Sequence, residues 1–248
     1  MTKPLGEIAF TGAGPGDPAL LTIAALRAME AADAVVHDRL VSPEILALAP
    51  GRKINVGKHG FGTSTAQEEI NALLVTLALE GLRVVRLKAG DPAVFGRLDE
   101  EIEAIAPHAI PFRILPGITA ASAAAASLGQ SLTARGRNSE LRLLTGHDVA
   151  GYTEQDWRAL ARPGAVAGIY MAKRGARFLQ GRLLMHGAAA DTPVTVVENA
   201  SRRDERCIAT TLAALPEATQ ALTGPAVLLY GLAPRAAAAA LPLLEATR

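Results

Sequence analysis

Three short loops in this chain carry residue types that can hold a small ligand. The first is Gly12-Ala13-Gly14-Pro15-Gly16-Asp17-Pro18, set between an apolar β-branched run and an amphipathic run. A strand-to-helix turn of this kind offers backbone N–H groups and the positive end of a helix to an anion. A dinucleotide fingerprint G-x-G-x-x-G counted from Gly12 needs glycine at 17, where Asp17 stands. That carboxylate would repel a pyrophosphate, and Pro15 removes a donor. The loop therefore suits close approach to a ligand through groups other than phosphates. A tight turn with no ligand is the alternative.

The second loop is Ala89-Gly90-Asp91-Pro92-Ala93-Val94-Phe95-Gly96-Arg97, again after an apolar run. Asp91 can accept from an amine or a ribose hydroxyl; the plain alternative is an Asp-Pro turn. The third is Pro116-Gly117-Ile118-Thr119-Ala120-Ala121-Ser122, which opens a run of small residues. Small side chains let a ligand lie against backbone, or let a helix pack closely on a sheet. In an open α/β sheet, ligands bind outside the carboxyl ends of the strands, and each loop follows a predicted strand.

Short β-branched runs alternate with longer Ala/Leu runs, the pattern of βαβ units. Strands are predicted over Glu7–Gly12, Asp33–His37, Lys53–Gly57, Arg83–Lys88 and Phe112–Leu115. Helices are predicted over Pro18–Ala31, Thr65–Glu80, Leu98–Ala106 and Ile118–Leu128. Ser64 or Thr65 would cap the second helix and Gly81 would end it. Composition changes over Gly129–Asn138, which places a domain boundary between 1–130 and 131–248. Beyond it, Leu141–Thr145, Ala165–Met171, Val194–Val197, Cys207–Thr211 and Ala226–Tyr230 read as strands, with helices near Trp157, Leu183, Leu215 and Ala238. Val194–Val197 and Cys207–Thr211 can pair as a hairpin. The expected fold class is α/β: two domains with a cleft between them.

The balance of 25 Lys+Arg against 24 Asp+Glu leaves a net charge of +1. That excludes a strongly basic nucleic-acid binder and an acidic disordered chain. A single cysteine, Cys207, excludes a disulfide scaffold and a multi-Cys zinc site, and suits a reducing compartment. The histidines form no ligand cluster, so no metal is expected. No run approaches the roughly 20 apolar residues of a membrane span, and the N-terminus lacks a signal-peptide pattern. The expectation is a cytoplasmic protein with no membrane or nucleic-acid partner.

Together, G-A-G-P-G-D-P (Gly12–Pro18), V-H-D-R-L-V (Val36–Val41), G-D-P-A-V-F-G-R (Gly90–Arg97), P-G-I-T-A-A-S (Pro116–Ser122) and T-G-H (Thr145–His147) resemble the uroporphyrinogen-III C-methyltransferases, in order and spacing, over nearly the whole chain. These belong to the tetrapyrrole methylases, and the resemblance implies their two-domain α/β fold, each domain a mixed sheet flanked by helices, with the active site in the cleft between them. The resemblance implies S-adenosylmethionine as donor and S-adenosylhomocysteine as by-product. It implies methylation of uroporphyrinogen III at C2 and C7 to precorrin-2, on the way to sirohaem, cobalamin or haem d1. It also implies a homodimer. Bifunctional relatives carry an additional N-terminal dehydrogenase–chelatase region; this chain starts at the methylase motifs and resembles the monofunctional type.

By that resemblance the donor site would comprise Pro15, Ala89, Gly90, Asp91, Val94, Thr119, Ala120, Met171 and Ala200, with Pro225 and Ala226 near the adenine. A sulfonium adenosyl ligand has no pyrophosphate, so Asp17 is no obstacle to it. For Met171 a core methionine is the plain alternative. Arg97 and Arg135 match positions tied to the carboxylate-fringed substrate, and arginine's planar fork suits that work. Asp38 and Lys58 match a proposed base and acid, and Glu100 a proposed carboxylate. Arg39 and Arg137 read as surface side chains. Departures from the family pattern are Leu98-Asp99 for two glycines, Ala134 for histidine, Ala89 and Ala200 for glycine, and His37 for tyrosine. Rival readings are a methylase of a later precorrin, a NAD-dependent dehydrogenase built on the Gly12 loop, and a weakly catalytic sensor of donor or tetrapyrrole.

Overall fold

The computed structural model describes residues 4–57, 66–148 and 151–235. It divides into two compact units, Met1–Ala120 and Ala121–Arg248. The division falls at the entry to a small-residue helix, upstream of the Gly129–Asn138 composition change.

In the first unit, β1 (Glu7–Gly12), β2 (Ala34–His37), β3 (Arg52–Asn55), β4 (Arg83–Lys88) and β5 (Phe112–Leu115) form one sheet in the order β3-β2-β4-β1-β5. All its pairings are parallel, a stricter arrangement than the mixed sheet expected. A parallel sheet must be covered on both faces. Helices α1 (Ile23–Ala31) and α2 (Pro43–Ala47) cover one face, where Met29 and Ile45 pack on Ala9, Val35, Val85 and Leu87. Helices α3 (Gln67–Leu79) and α4 (Leu98–Ile105) cover the other, where Leu74, Leu77 and Ile105 pack on Ile8, Phe10, Val36 and Val84. Each such large apolar side chain contributes about 1.5–3 kcal/mol when buried.

The single helix expected over Pro18–Ala31 is two pieces. Asp17 caps a short 3-10 turn, Pro18–Leu20, by accepting from the Ala19 N–H at 2.8 Å. The chain then extends through Leu21, and Thr22 caps α1 by accepting from Ala25 N–H at 3.1 Å. The hydroxyl captures an orphan donor and restarts the helix there. The proposed caps of α3, Ser64 and Thr65, lie outside the described residues. Gly81 ends α3 at φ +76, as expected.

Asp33 ties the starts of β2 and β4 by accepting from the backbone N–H, Nε and Nη2 of Arg83. Those hydrogen bonds pull its carboxyl down to about 2 from the ordinary 3.8. A lowered carboxyl pKa stabilises the fold above the unfolded value and fades as pH falls through the folded one. The pair is well exposed, so it contributes little to stability. Asp33→Asn is expected to lower the melting temperature slightly and evenly above pH ~4, with the gap closing towards pH ~2. Melts over that range check it; a gap that persists undiminished in acid would assign the effect elsewhere.

In the second unit, β6 (Arg142–Thr145), β9 (Ala167–Tyr170), β10 (Pro193–Glu198), β11 (Arg206–Thr211) and β12 (Ala226–Tyr230) form a mixed sheet, β11-β10-β12-β9-β6. Only β6 and β9 pair in parallel. The expected hairpin is present, with Val197 opposite Cys207. A two-residue ladder, β7 (His147–Asp148) with β8 (Gly151–Tyr152), was not expected from the sequence. Helices α5 (Ala120–Ser127), α6 (Trp157–Leu160), α7 (Ala176–Met185) and α8 (Leu215–Ala218) accompany this sheet. Trp157, Leu160, Leu183 and Leu215 pack on Ile169, Val196 and Leu228. The helix expected near Ala238 lies outside the described residues.

Candidate active site

The three glycine loops leave the carboxyl ends of β1, β4 and β5, neighbours in the first sheet, and they are clasped to one another. Gly14 and Gly90 exchange backbone hydrogen bonds, at 3.1 Å and 2.7 Å. Both hold positive φ, +66 and +71, which glycine adopts at little cost. A Cβ on Gly117 would sit 2.2 Å from the Gly90 carbonyl oxygen, and one on Gly12 would sit 2.5 Å from the Gly117 nitrogen. These glycines therefore serve the packing of loop on loop. Ser42, which caps α2, also donates to the Gly16 carbonyl at 2.7 Å and steadies the first loop.

Asp91 is the clasp's side chain. Its Oδ1 accepts from Ala93 N–H at 2.8 Å and its Oδ2 from Gly117 N–H at 3.0 Å. The sequence reading gave this carboxylate to a ligand. Each oxygen also accepts from backbone, so Asp91 shapes the β4 and β5 loops as well. Pro15, within the first loop, is buried, while Ala89, Gly90, Val94, Thr119 and Ala120 are partly exposed along the other two.

At the end of β2, Asp38 is one-third exposed and accepts from Arg86 Nη2 at 2.7 Å. Arg86 and Lys88 lie on the same face of β4 and are both buried, at 2 % and 3 % exposure. Between them sits Glu101 of α4, fully buried, with Oε1 3.0 Å from Arg86 Nε and 2.9 Å from Lys88 Nζ. Gln67 of α3 also donates to that oxygen, at 3.3 Å. Burial works against the charge on Arg86, but Asp38 and Glu101 outweigh it and raise its pKa. Burial, with Arg86 alongside, lowers that of Lys88. Sequence reasoning passed over this cluster because it took β4 as an apolar strand. The signal was there: two cations at i and i+2 share one strand face, and a cation on a covered sheet needs a carboxylate partner. Lys58 lies outside the described residues.

Arg97 closes the β4 loop at φ +53 and precedes α4. Its Nε and Nη2 reach Glu100 Oε1 and Oε2 at 2.7 and 2.6 Å, a forked pair with both side chains about half exposed. The hydrogen bond from Arg97 lowers the pKa of Glu100. Two residues that sequence reasoning named separately are thus joined, at the surface, where a partner can compete for the arginine.

In the second unit, Met171 follows β9 at φ +53 and is 52 % exposed, which excludes the core alternative. Ala200 is buried between Asn199 and Ser201, both at positive φ. Asn199 N–H donates to the Pro225 carbonyl at 2.8 Å, so the Ala200 turn lies against Pro225-Ala226. Tyr170 pairs with both Val227 and Thr145. Met171, the Ala200 turn, Pro225-Ala226 and the T-G-H turn therefore share one end of this sheet. Non-glycine residues held at positive φ are costly and recur where function demands them. Arg135 is exposed over an open depression of about 620 Å³ lined by Thr133–Ser139, and it makes no hydrogen bond or ion pair with a described residue. Arg137, expected at the surface, instead donates to the Ser131 carbonyl and Asn138 Oδ1 and holds that loop in shape.

Residues 7–216 match the tetrapyrrole (corrin/porphyrin) methylases. The chain belongs to the tetrapyrrole methylase family. As a member of that family it is 46 % identical over 228 residues to siroheme synthase 1 of Yersinia enterocolitica, covering 91 % of this chain and 48 % of that one. It spans about half the length of the curated relatives it matches. Uroporphyrin-III C-methyl transferase from Thermus thermophilus, complexed with S-adenyl homocysteine, is 36 % identical with a TM-score of 0.78, over 91 % of this chain and 92 % of that one. Cobalt precorrin-4 methyltransferase, a cobalamin biosynthetic enzyme, has a TM-score of 0.80 at 27 % identity, over 91 % and 94 %. Both structural neighbours are methyltransferases, and the fold is that of the tetrapyrrole methylases. Among the described residues no helix is long and apolar enough to cross a membrane.

Proposed function

We propose that the chain transfers methyl groups from S-adenosylmethionine to C2 and C7 of uroporphyrinogen III, giving precorrin-2. The observation that carries this reading is the 36 % identity, over nearly the full length of both chains, to a uroporphyrin-III C-methyl transferase complexed with the demethylated donor. The residues fit such a donor. The clasped loops present small side chains and backbone, and Asp17 at the first loop disfavours a pyrophosphate. Ala89, Gly90, Val94, Thr119 and Ala120 would line the donor from the first unit, with Pro15 and Asp91 shaping their loops. Met171, Ala200, Pro225 and Ala226 are the donor residues that the family resemblance implies in the second unit.

When bound, the donor supplies an electrophilic methyl group on a sulfonium. A pyrrole carbon is nucleophilic enough to take it, so the protein's main work is alignment. Arg97, leaving Glu100, would grip a substrate carboxylate with its fork. Arg135 would do the same from the 133–139 loop. A proton must leave the ring after each transfer, and Asp38 would accept it; Lys58 is the proposed acid. The homodimer and the cytoplasmic location belong to the same reading.

Calorimetry distinguishes this from a dehydrogenase built on the Gly12 loop. S-adenosylhomocysteine is expected to bind and NAD to bind far more weakly. NAD as the tighter ligand would overturn the methyltransferase reading.

A further inference from the structure

Glu101, Arg86 and Lys88 together occupy places where apolar residues could serve the fold as well. Helix α4 is already anchored by Leu98 and Ile105, and a buried ion cluster is often no more stable than its apolar replacement. Glu101 Oε1 takes three donors, from Arg86, Lys88 and Gln67, while the buried Oε2 has no partner among the described residues. Arg86 is held on every side but one. Its Nε is on Glu101 and its Nη1 faces the carbonyls of Val36 and Leu87, each at 3.4 Å. The remaining arm, Nη2, points at Asp38 Oδ1. Lys88, held by the same Glu101 oxygen, donates to the Gly96 carbonyl, one residue before Arg97. The cluster therefore runs from a rigid interior to the one member that reaches solvent.

We propose that Glu101 and Arg86 are positioning residues for methyl transfer: Glu101 fixes the Arg86 guanidinium, which in turn fixes the Asp38 carboxylate. The proposal rests on the reading of Asp38 as proton acceptor. Neither residue touches substrate; both act through Asp38.

The test is a double-mutant cycle on the full chain, with uroporphyrinogen III and S-adenosylmethionine as substrates. Glu101→Gln keeps the shape of the side chain and removes its charge. It is expected to lower kcat about tenfold, within the range seen for residues in one charge network. Affinity for S-adenosylhomocysteine should stay within about twofold, since neither Glu101 nor Arg86 is among the proposed donor residues. Combined with Asp38→Asn, it should add little to the loss Asp38→Asn already causes. Arg86→Lys keeps a cation that cannot fork between two carboxylates, and it should behave the same way if Glu101→Gln does not fold. Losses that multiply in full, or a normal kcat in a folded Glu101→Gln or Arg86→Lys variant, would overturn the proposal while leaving the Asp38 reading intact. Normal turnover in Asp38→Asn alone would overturn both.

Discussion

Arg97→Ala is expected to cut methyl transfer by about 100-fold while S-adenosylhomocysteine binds nearly as before. An acceptor displaced by about an ångström loses its line of attack, and that costs rate more than affinity. The lost charge-assisted pair with a substrate carboxylate is worth roughly 1.5–3 kcal/mol. Stability should barely move. The pair with Glu100 is half exposed, and exposed pairs contribute about 0–1 kcal/mol. Alanine also keeps the Cβ, so the φ of +53 is no worse than before. Arg97→Lys should restore part of the rate, because lysine carries the charge without the fork. The opposing account is that Arg97 only steadies α4 through Glu100. Under it, Arg97→Ala and Glu100→Gln would lower the melting point alike and leave specific activity normal. Melting curves beside turnover separate the two.

Gly117→Ala is expected to abolish donor binding. The added Cβ would meet the Gly90 carbonyl at 2.2 Å and the Gly12 Cα at 2.9 Å, and both are backbone that cannot swing aside. Relief requires the β5 loop to withdraw. That breaks the Gly117 N–H bond to Asp91 and parts the β5 loop from the β4 loop. The lost hydrogen bond to a charged carboxylate costs about 1.5–3 kcal/mol before any overpacking is counted. The unit should still fold, because most of its sheet core, such as Ile8, Met29 and Leu74, lies along the strands and helices and not in these loops. Calorimetry with S-adenosylhomocysteine, with circular dichroism as the control for folding, reads the effect. A folded variant that binds the donor product normally would show that the clasp is not part of the donor site.

The sequence was legible where local rules decide. Strands β1, β4, β5 and β12 have the expected bounds, because each is an apolar or β-branched run cut off by glycine or proline. Thr22 was a readable cap, yet the periodic apolar pattern across Pro18–Ala31 masked the break it makes. The role of Asp91 was not legible. Its choice of Gly117 as partner joins residues 26 positions apart and depends on β5 lying beside β1. The Arg86–Glu101 contact is hidden in the same way, because it exists only once α4 folds back over β4. Met171 shows the reverse case. Its residue type suggested a core position, and its left-handed backbone and exposure place it at the rim of the second sheet.

The most direct measurement is an anaerobic incubation of the full chain with S-adenosylmethionine and uroporphyrinogen III, followed by absorbance and mass spectrometry. The account predicts a tetrapyrrole heavier by two methyl groups in place of two hydrogens, formed with two equivalents of S-adenosylhomocysteine. An unchanged uroporphyrinogen III, in a preparation that binds S-adenosylhomocysteine, would contradict it and assign the chain another tetrapyrrole or a sensing role.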